Sequence, residues 1–297
     1  VAHHSNKYVN CYASGVVEGE SYVGGFVGDG EAPEAQSTHS YYENCYSTSM
    51  VGMQNQAANM GGFVGYEDGY LHMDSCYSAG EVGALTTDPV NPGSVGGFGG
   101  LLANNYSNCY YDMQTSAMRD RVVGNATSKA GITGKQTQDL LGKMPEGFNE
   151  SVWSAQEGLY PQLKAFCDEA ELEKNFSEKD RAIVKAYSAA SVCTAMLYPS
   201  NNPDYEDDVN YDTVRSIQYL FPLTNNEMVK NSSFDISWVA DDTKSTVAGL
   251  EDLSVITLNN KTYAVASLAP GIGWTTVKVK YYPDPSNKAE YVVGTRR

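Results

Sequence analysis

Basic residues are scarce in this chain: 20 Lys and Arg stand against 36 Asp and Glu in 297 residues, giving a net charge of −16. An acidic surface of that size repels phosphate backbones and anionic lipid, which argues against nucleic acid or acidic membrane as a partner. Charged residues of both signs make up only 19%, whereas Gly (28) and Tyr (22) are plentiful. That balance is typical of secreted β proteins rather than of cytosolic helical enzymes. No run of about 20 apolar residues is present, so no membrane-spanning helix is expected, and no charged-then-apolar leader opens the chain.

Chemistry-bearing motifs are equally sparse. Histidine is limited to His3, His4, His39 and His72, and none has a partner four residues away with a glutamate between them, as a helical zinc-peptidase site requires. A Gly-x-Ser-x-Gly nucleophile elbow does not occur. The closely spaced cysteine pairs of a thiolate zinc site are missing too. Glu18, Glu20, Glu31, Glu34, Glu67, Asp68 and Asp74 invite a glycosidase-like carboxylate pair, yet they recur at no fixed place and read as solvated loop residues. No catalytic residues and no cofactor are therefore expected.

What is present is repetition. "SYVGGFVGDG" at 21–30 has the glycines of a phosphate-binding loop, but Pro33 stands where a third motif glycine would fall and no lysine follows. "GGFVG" then returns at 61–65 and as "GGFGG" at 96–100. A second word keeps step with it: "NCYAS", "NCYST", "SCYSA" and "NCYYD" place Cys11, Cys45, Cys76 and Cys109 at intervals of 34, 31 and 33 residues. Val17, Val51 and Val82 follow six residues after the first three cysteines, and Thr115 breaks the pattern at the fourth. Constant words separated by loops of free length are the signature of stacked repeats.

The expectation is an all-β chain beginning with a short capped β-solenoid of three strands per coil, one per word, with coils about 4.8 Å apart. Phe26, Phe63 and Phe98 stack from rung to rung. The glycines turn the chain at coil edges, where φ > 0 is needed. The cysteines form an inward ladder of small reduced thiols. Period-2 alternation then sends Tyr12, Tyr46, Tyr77 and Tyr110 outward as a stripe able to meet a glycan or protein.

"GGFVGYEDGYLHMDSCYSAGEVGA" (61–84) closely resembles the GLUG motif, a repeat of large bacterial surface proteins that include immunoglobulin A peptidases and adhesin-like chains of host-associated bacteria. The likeness covers residues 8–112. "CYYDMQTSAM", "GITGKQTQDLLG" and "SVWSAQEGLYPQL" are similar to the segment that closes such arrays, placing a cap at about 113–165. The resemblance implies an extracellular, bacterial cell-surface setting and no single activity. The chain enters a repeat whose Gly-Gly-Phe strand is missing, so it reads as a monomeric excerpt of a longer protein, its leader and anchor outside it.

Beyond residue 165 the words stop. Residues 166–297 read as a β-sandwich from alternating runs such as "TVRSIQYLFPL", "SFDISWVAD" and "WTTVKVKYY". "FDISWVADD" with the later "SLAPGIGWTTVKVKY" resembles the bacterial immunoglobulin-like repeats. "EAELEKNFSEKDRAIVKAY" suggests a short helix, with Ser177 and Asp180 as a capping box, leading to a strand within "AIVKAYSAASVCTAMLY". Cys167 and Cys193 stand apart from the ladder, and their pairing is open. The acidic run "DYEDDVNYD" offers Asp204, Glu206, Asp208 and Asp212 as weak calcium ligands, without the glycine that turns a calcium loop. The resulting expectation is a non-catalytic surface module for adhesion, ligand presentation or a stalk, with a glycan or protein of a host or neighbouring cell as partner. The alternative is an accessory region of a secreted peptidase or glycosidase whose catalytic domain lies elsewhere.

Overall fold

The computed structural model describes residues 6–30, 39–52, 59–69, 71–83, 95–104, 106–116, 118–124, 126–156, 159–192, 194–199, 214–222, 234–240, 250–258, 261–268, 275–282, 284 and 286–296. The chain is mostly strand with little helix. It divides into two compact units, Val1–Ala165 and Phe166–Arg297.

In the first unit the repeat words lie on one another in parallel register. Tyr12, Tyr46, Tyr77, Tyr110 and Thr133 are successive partners in a five-stranded ladder. Gly24, Gly61 and Gly96 are partners in a second, and Val17, Val51 and Val82 align in a third. Among the described residues, each of the first two repeats contributes five short strands rather than three. One strand precedes the cysteine word and forms the ladder Asn6–Val9, Ser40–Glu43 and Leu71–Asp74. Another follows the phenylalanine, in the ladder Val27–Asp29, Val64–Glu67 and Gly99–Leu102.

The additional breaks have a local cause. Asn10, Asn44, Ser75 and Asn108, each just before the cysteine, hold φ of 56°, 54°, 55° and 50°. This left-handed conformation interrupts a strand, and Asn tolerates it better than most residues. The corner therefore belongs to the residue before the cysteine. Gly24, Gly25, Gly61, Gly62, Gly96 and Gly97 do not have positive φ, which corrects the turn assignment for the Gly-Gly-Phe word. What they supply is close approach. A Cβ on Gly24 would lie 1.9 Å from the Val27 carbonyl oxygen, and one on Gly62 would lie 2.4 Å from that of Gly97.

The core lies on the cysteine side. Cys45, Cys76 and Cys109 are fully buried and reduced, while Cys11 in the first rung is half-buried. Phe26, Phe63 and Phe98 stack beside them at 4.9 and 5.2 Å with nearly parallel rings. Tyr42, Met73, Leu102 and Tyr111 are among the other buried members of this cluster. A second cluster is built from Val23, Val51, Met60 and Val82. Burial pushes the Cys76 thiol well above its ordinary pKa, consistent with small apolar packing groups rather than nucleophiles.

After the fourth cysteine, Ile132–Lys135 adds a last parallel strand to the tyrosine ladder. A short helix, Thr137–Leu140, and an antiparallel pair, Trp153–Ser154 with Gln162–Leu163, then close the unit.

The second unit opens on helices Glu169–Asn175 and Glu178–Ser191. Asp168 caps the first through the amides of Ala170 and Glu171. Ser177 caps the second, its hydroxyl accepting the Asp180 amide at 3.3 Å. The second helix runs through Ser191, so the strand expected in this segment is confined to Thr194–Pro199. The satisfied cap and a long Ala-containing stretch hold the helix against the β-like alternation of "AIVKAY". Two antiparallel sheets follow. One has the order Thr194–Pro199, Val214–Pro222, Lys261–Leu268, Leu250–Leu258. The other has the order Phe234–Ala240, Thr275–Tyr281, Val292–Arg296. Helix Glu178–Ser191 packs along Val292–Arg296 and also touches Val214–Pro222.

Candidate contact surface

The tyrosine stripe points away from the cysteine core but does not reach solvent. Tyr46 and Tyr77 are fully buried, Tyr110 nearly so, and Tyr12 is half-buried. The rings of Tyr12, Tyr46 and Tyr77 stack at 5.0 Å per step. Residues 145–156 and 159–163 lie over them. Trp153 packs on Tyr46 and Tyr77, and Phe148 on Tyr77 and Tyr110. The hydroxyls of Tyr77 and Tyr110 donate to the carbonyls of Pro161 (2.7 Å) and Glu146 (2.8 Å). The Trp153 indole donates to Asn44 Oδ1 at 3.0 Å. This corrects the expectation of a contact stripe: a column of large apolar rings is better buried than wetted, and the closing segment does the burying.

Two carboxylates are buried as well, and both are structural. Glu67 Oε1 accepts the amides of Gly69 and Leu71, and Oε2 those of Ala103 and Asn104 together with the Tyr106 hydroxyl at 2.5 Å. Burial alone would raise its pKa, but this ring of donors outweighs it and holds the carboxyl below its usual range. Glu67 is thus removed from the solvated loop acids and becomes a clasp between two repeats. Asp112 accepts the amides of Gln114 and Thr115 and the hydroxyls of Thr137 and Tyr160, tying the last repeat to the closing segment. Here desolvation dominates, and the pKa is raised.

Of the other loop acids, Glu18, Glu20, Asp68 and Asp74 are exposed, while Glu31 and Glu34 lie outside the described residues. Asp204, Glu206, Asp208, Asp212 and Cys193 also lie outside them, as do His3 and His4. Among the described residues no group of three or more His, Cys, Asp and Glu is arranged to hold a metal ion, and no helix is long and apolar enough to cross a membrane.

An exposed group of aromatic, imidazole and charged side chains lies on the ladder preceding the cysteine word. Tyr8, Tyr42 and Met73 occupy one register position, and Tyr42 and Met73 point into the core. Alternation then turns Lys7, Tyr41 and His72 outward as one column, with Val9, Glu43 and Asp74 as the next. Tyr41 is 40% exposed, and its ring stacks on His72 at 4.8 Å and 12°. His39, two residues before Tyr41 on the same face, brings its Nδ1 to 3.0 Å from His72 Nε2. Lys7 pairs with Glu43 at 2.9 Å across the rung, an exposed contact worth little energetically. Tyr22 lies against Tyr66, and Leu101 is exposed at the register position next to Tyr66.

This face combines flat aromatic area, two imidazoles and the Lys7 ammonium. At helical spacing His39 and His72 have no histidine partner, and the sequence alone did not bring them together. Their separation of 33 residues, one repeat period, was the available signal. Comparison with known protein families finds no match for this chain, and comparison with curated proteins finds none.

Proposed function

We propose that the chain is a non-catalytic extracellular module of a bacterial surface protein of the GLUG-repeat kind, serving adhesion, ligand presentation or a stalk. Its first unit is a short capped β-solenoid, and its second is an immunoglobulin-like β-sandwich. The observation that carries the reading is the in-register pairing of the repeat words: each cysteine-word tyrosine, each valine and each glycine lies on its counterpart one repeat away. For the second unit, support comes from strand order. Numbered along the chain, the seven strands among its described residues run 1-2-5-4 in one sheet and 3-6-7 in the other, the order of the ABED and CFG sheets of constant-type immunoglobulin domains.

In the first unit the repeated residues are spent on architecture, and the exposed aromatic and imidazole face is where a partner would dock. The test is a screen of the full chain against glycans, mucins and matrix proteins, repeated with Lys7 and Tyr41 both replaced by serine. Saturable binding that weakens in the double variant is the expected result. Turnover of a peptide or glycosidic substrate by the chain itself would overturn the proposal.

A further inference from the structure

His39 and His72 are two of only four histidines in the chain, yet consecutive repeats bring a nitrogen of one ring to within 3.0 Å of a nitrogen of the other. Imidazole nitrogens bind zinc-like ions at about 2.0–2.1 Å, so two ligands subtending about 90–110° at one ion stand roughly 2.9–3.4 Å apart. The observed separation falls in that span. The ring centroids are 4.9 Å apart and the ring planes are tilted by 43°.

The scaffold holds this geometry. His72 sits within a parallel ladder in register with Tyr41, and the Tyr41 ring fixes the plane of the His72 imidazole. His39 immediately precedes the neighbouring strand Ser40–Glu43. His72 is exposed and His39 partly so, leaving water to fill further coordination positions. The net charge of −16 favours cation approach.

We propose that His39 and His72 form a two-imidazole chelate for a late first-row divalent ion, with affinity in the order Cu(II) above Ni(II) and Zn(II). Each ring ligates as the neutral imidazole, His39 through Nδ1 and His72 through Nε2. Its proton resides on the other ring nitrogen, so the hydrogen bond between the rings is exchanged for two metal–nitrogen bonds with no redox change. A site of this kind lets the face dock a metal-bearing partner or crosslink through a shared ion.

The test is titration calorimetry of the full chain with NiCl2, which avoids redox chemistry at the thiols. His3 and His4 are replaced by alanine throughout, so that only the inferred pair contributes imidazoles. One Ni(II) per chain is expected. His39→Asn and His72→Asn should each weaken binding by more than the roughly 10–100-fold that loss of an outer-sphere partner costs. Tyr41→Ala should weaken it less. Thermal melting of every variant without metal checks that the fold is intact. Absence of heat at millimolar NiCl2 overturns the inference, as does binding that survives His72→Asn in a folded protein.

Discussion

Replacing Gly62 with alanine separates two roles for the repeated glycines. If the residue merely sat in an open strand, Gly→Ala at its ordinary φ would stabilise the protein by about 0.4–1 kcal/mol, because alanine restricts the unfolded chain. The geometry demands the opposite. The added Cβ would lie 2.4 Å from the Gly97 carbonyl oxygen and 2.9 Å from Ser78 Oγ, whereas ordinary contact begins at 3.4 Å. Adjacent rungs must therefore part locally by about 1 Å, at a typical overpacking cost of about 1–3 kcal/mol.

The Gly97 oxygen is also the acceptor of the buried Ser78 hydroxyl at 2.9 Å, and displacing it forfeits about another 1 kcal/mol. The sum is about 3 kcal/mol, which for a unit of this size lowers Tm by roughly 6–12 °C. The chain has three tryptophans. With Trp238 and Trp274 changed to Phe, the fluorescence of buried Trp153 reports on the repeat unit during thermal unfolding. A Tm equal to or above that of the parent would refute the close-approach argument.

Asn44 tests the corner. Asn44→Ala should cost about 2–4 kcal/mol in the same assay, combining left-handed strain with loss of the Trp153 indole's acceptor. Asn44→Gly should recover about 1 kcal/mol, since glycine accepts the backbone angle; equal costs would remove the backbone share. Glu67 tests the clasp through pH. Its folded pKa is lowered, so its stabilisation is fully present above the ordinary Glu value of about 4.3 and is lost as pH falls through the folded value. Glu67→Gln should therefore be less stable than the parent at neutral pH by about 1–3 kcal/mol, with the gap closing in acid. Asp112, raised by burial, works in the opposite sense, but it is common to both proteins and cancels. A gap that stays constant with pH would show that Glu67 acts only through packing.

The ladders formed by the repeat words were legible because identical words at a fixed period have one economical arrangement, each on its copy. The strand before the cysteine word was not: "NKYV", "SYYE" and "LHMD" share no word and are joined by backbone pairing that any side chain permits. The burial of the tyrosine column was hidden for another reason. Trp153 meets Asn44 across 109 residues, and local periodicity carries no information about such a contact. Glu67 looked like a loop acid since its donors Ala103 and Tyr106 belong to the following repeat. In the second unit the strand runs stood out by alternation, while helix Glu178–Ser191 was cut short by reading "AIVKAY" as extended.

The segment lying across the tyrosine column meets it rung by rung. It grips Tyr110 through Glu146, Tyr77 through Phe148, Trp153 and Pro161, and Tyr46 through Trp153. It spans the tyrosine rungs that precede the last strand of the ladder, Ile132–Lys135. A repeat duplicated within those rungs would shift the tyrosines relative to Glu146, Phe148, Trp153 and Pro161 and bare one of them. The cover thus ties the number of rungs beneath it to its own length, so the two can change only together.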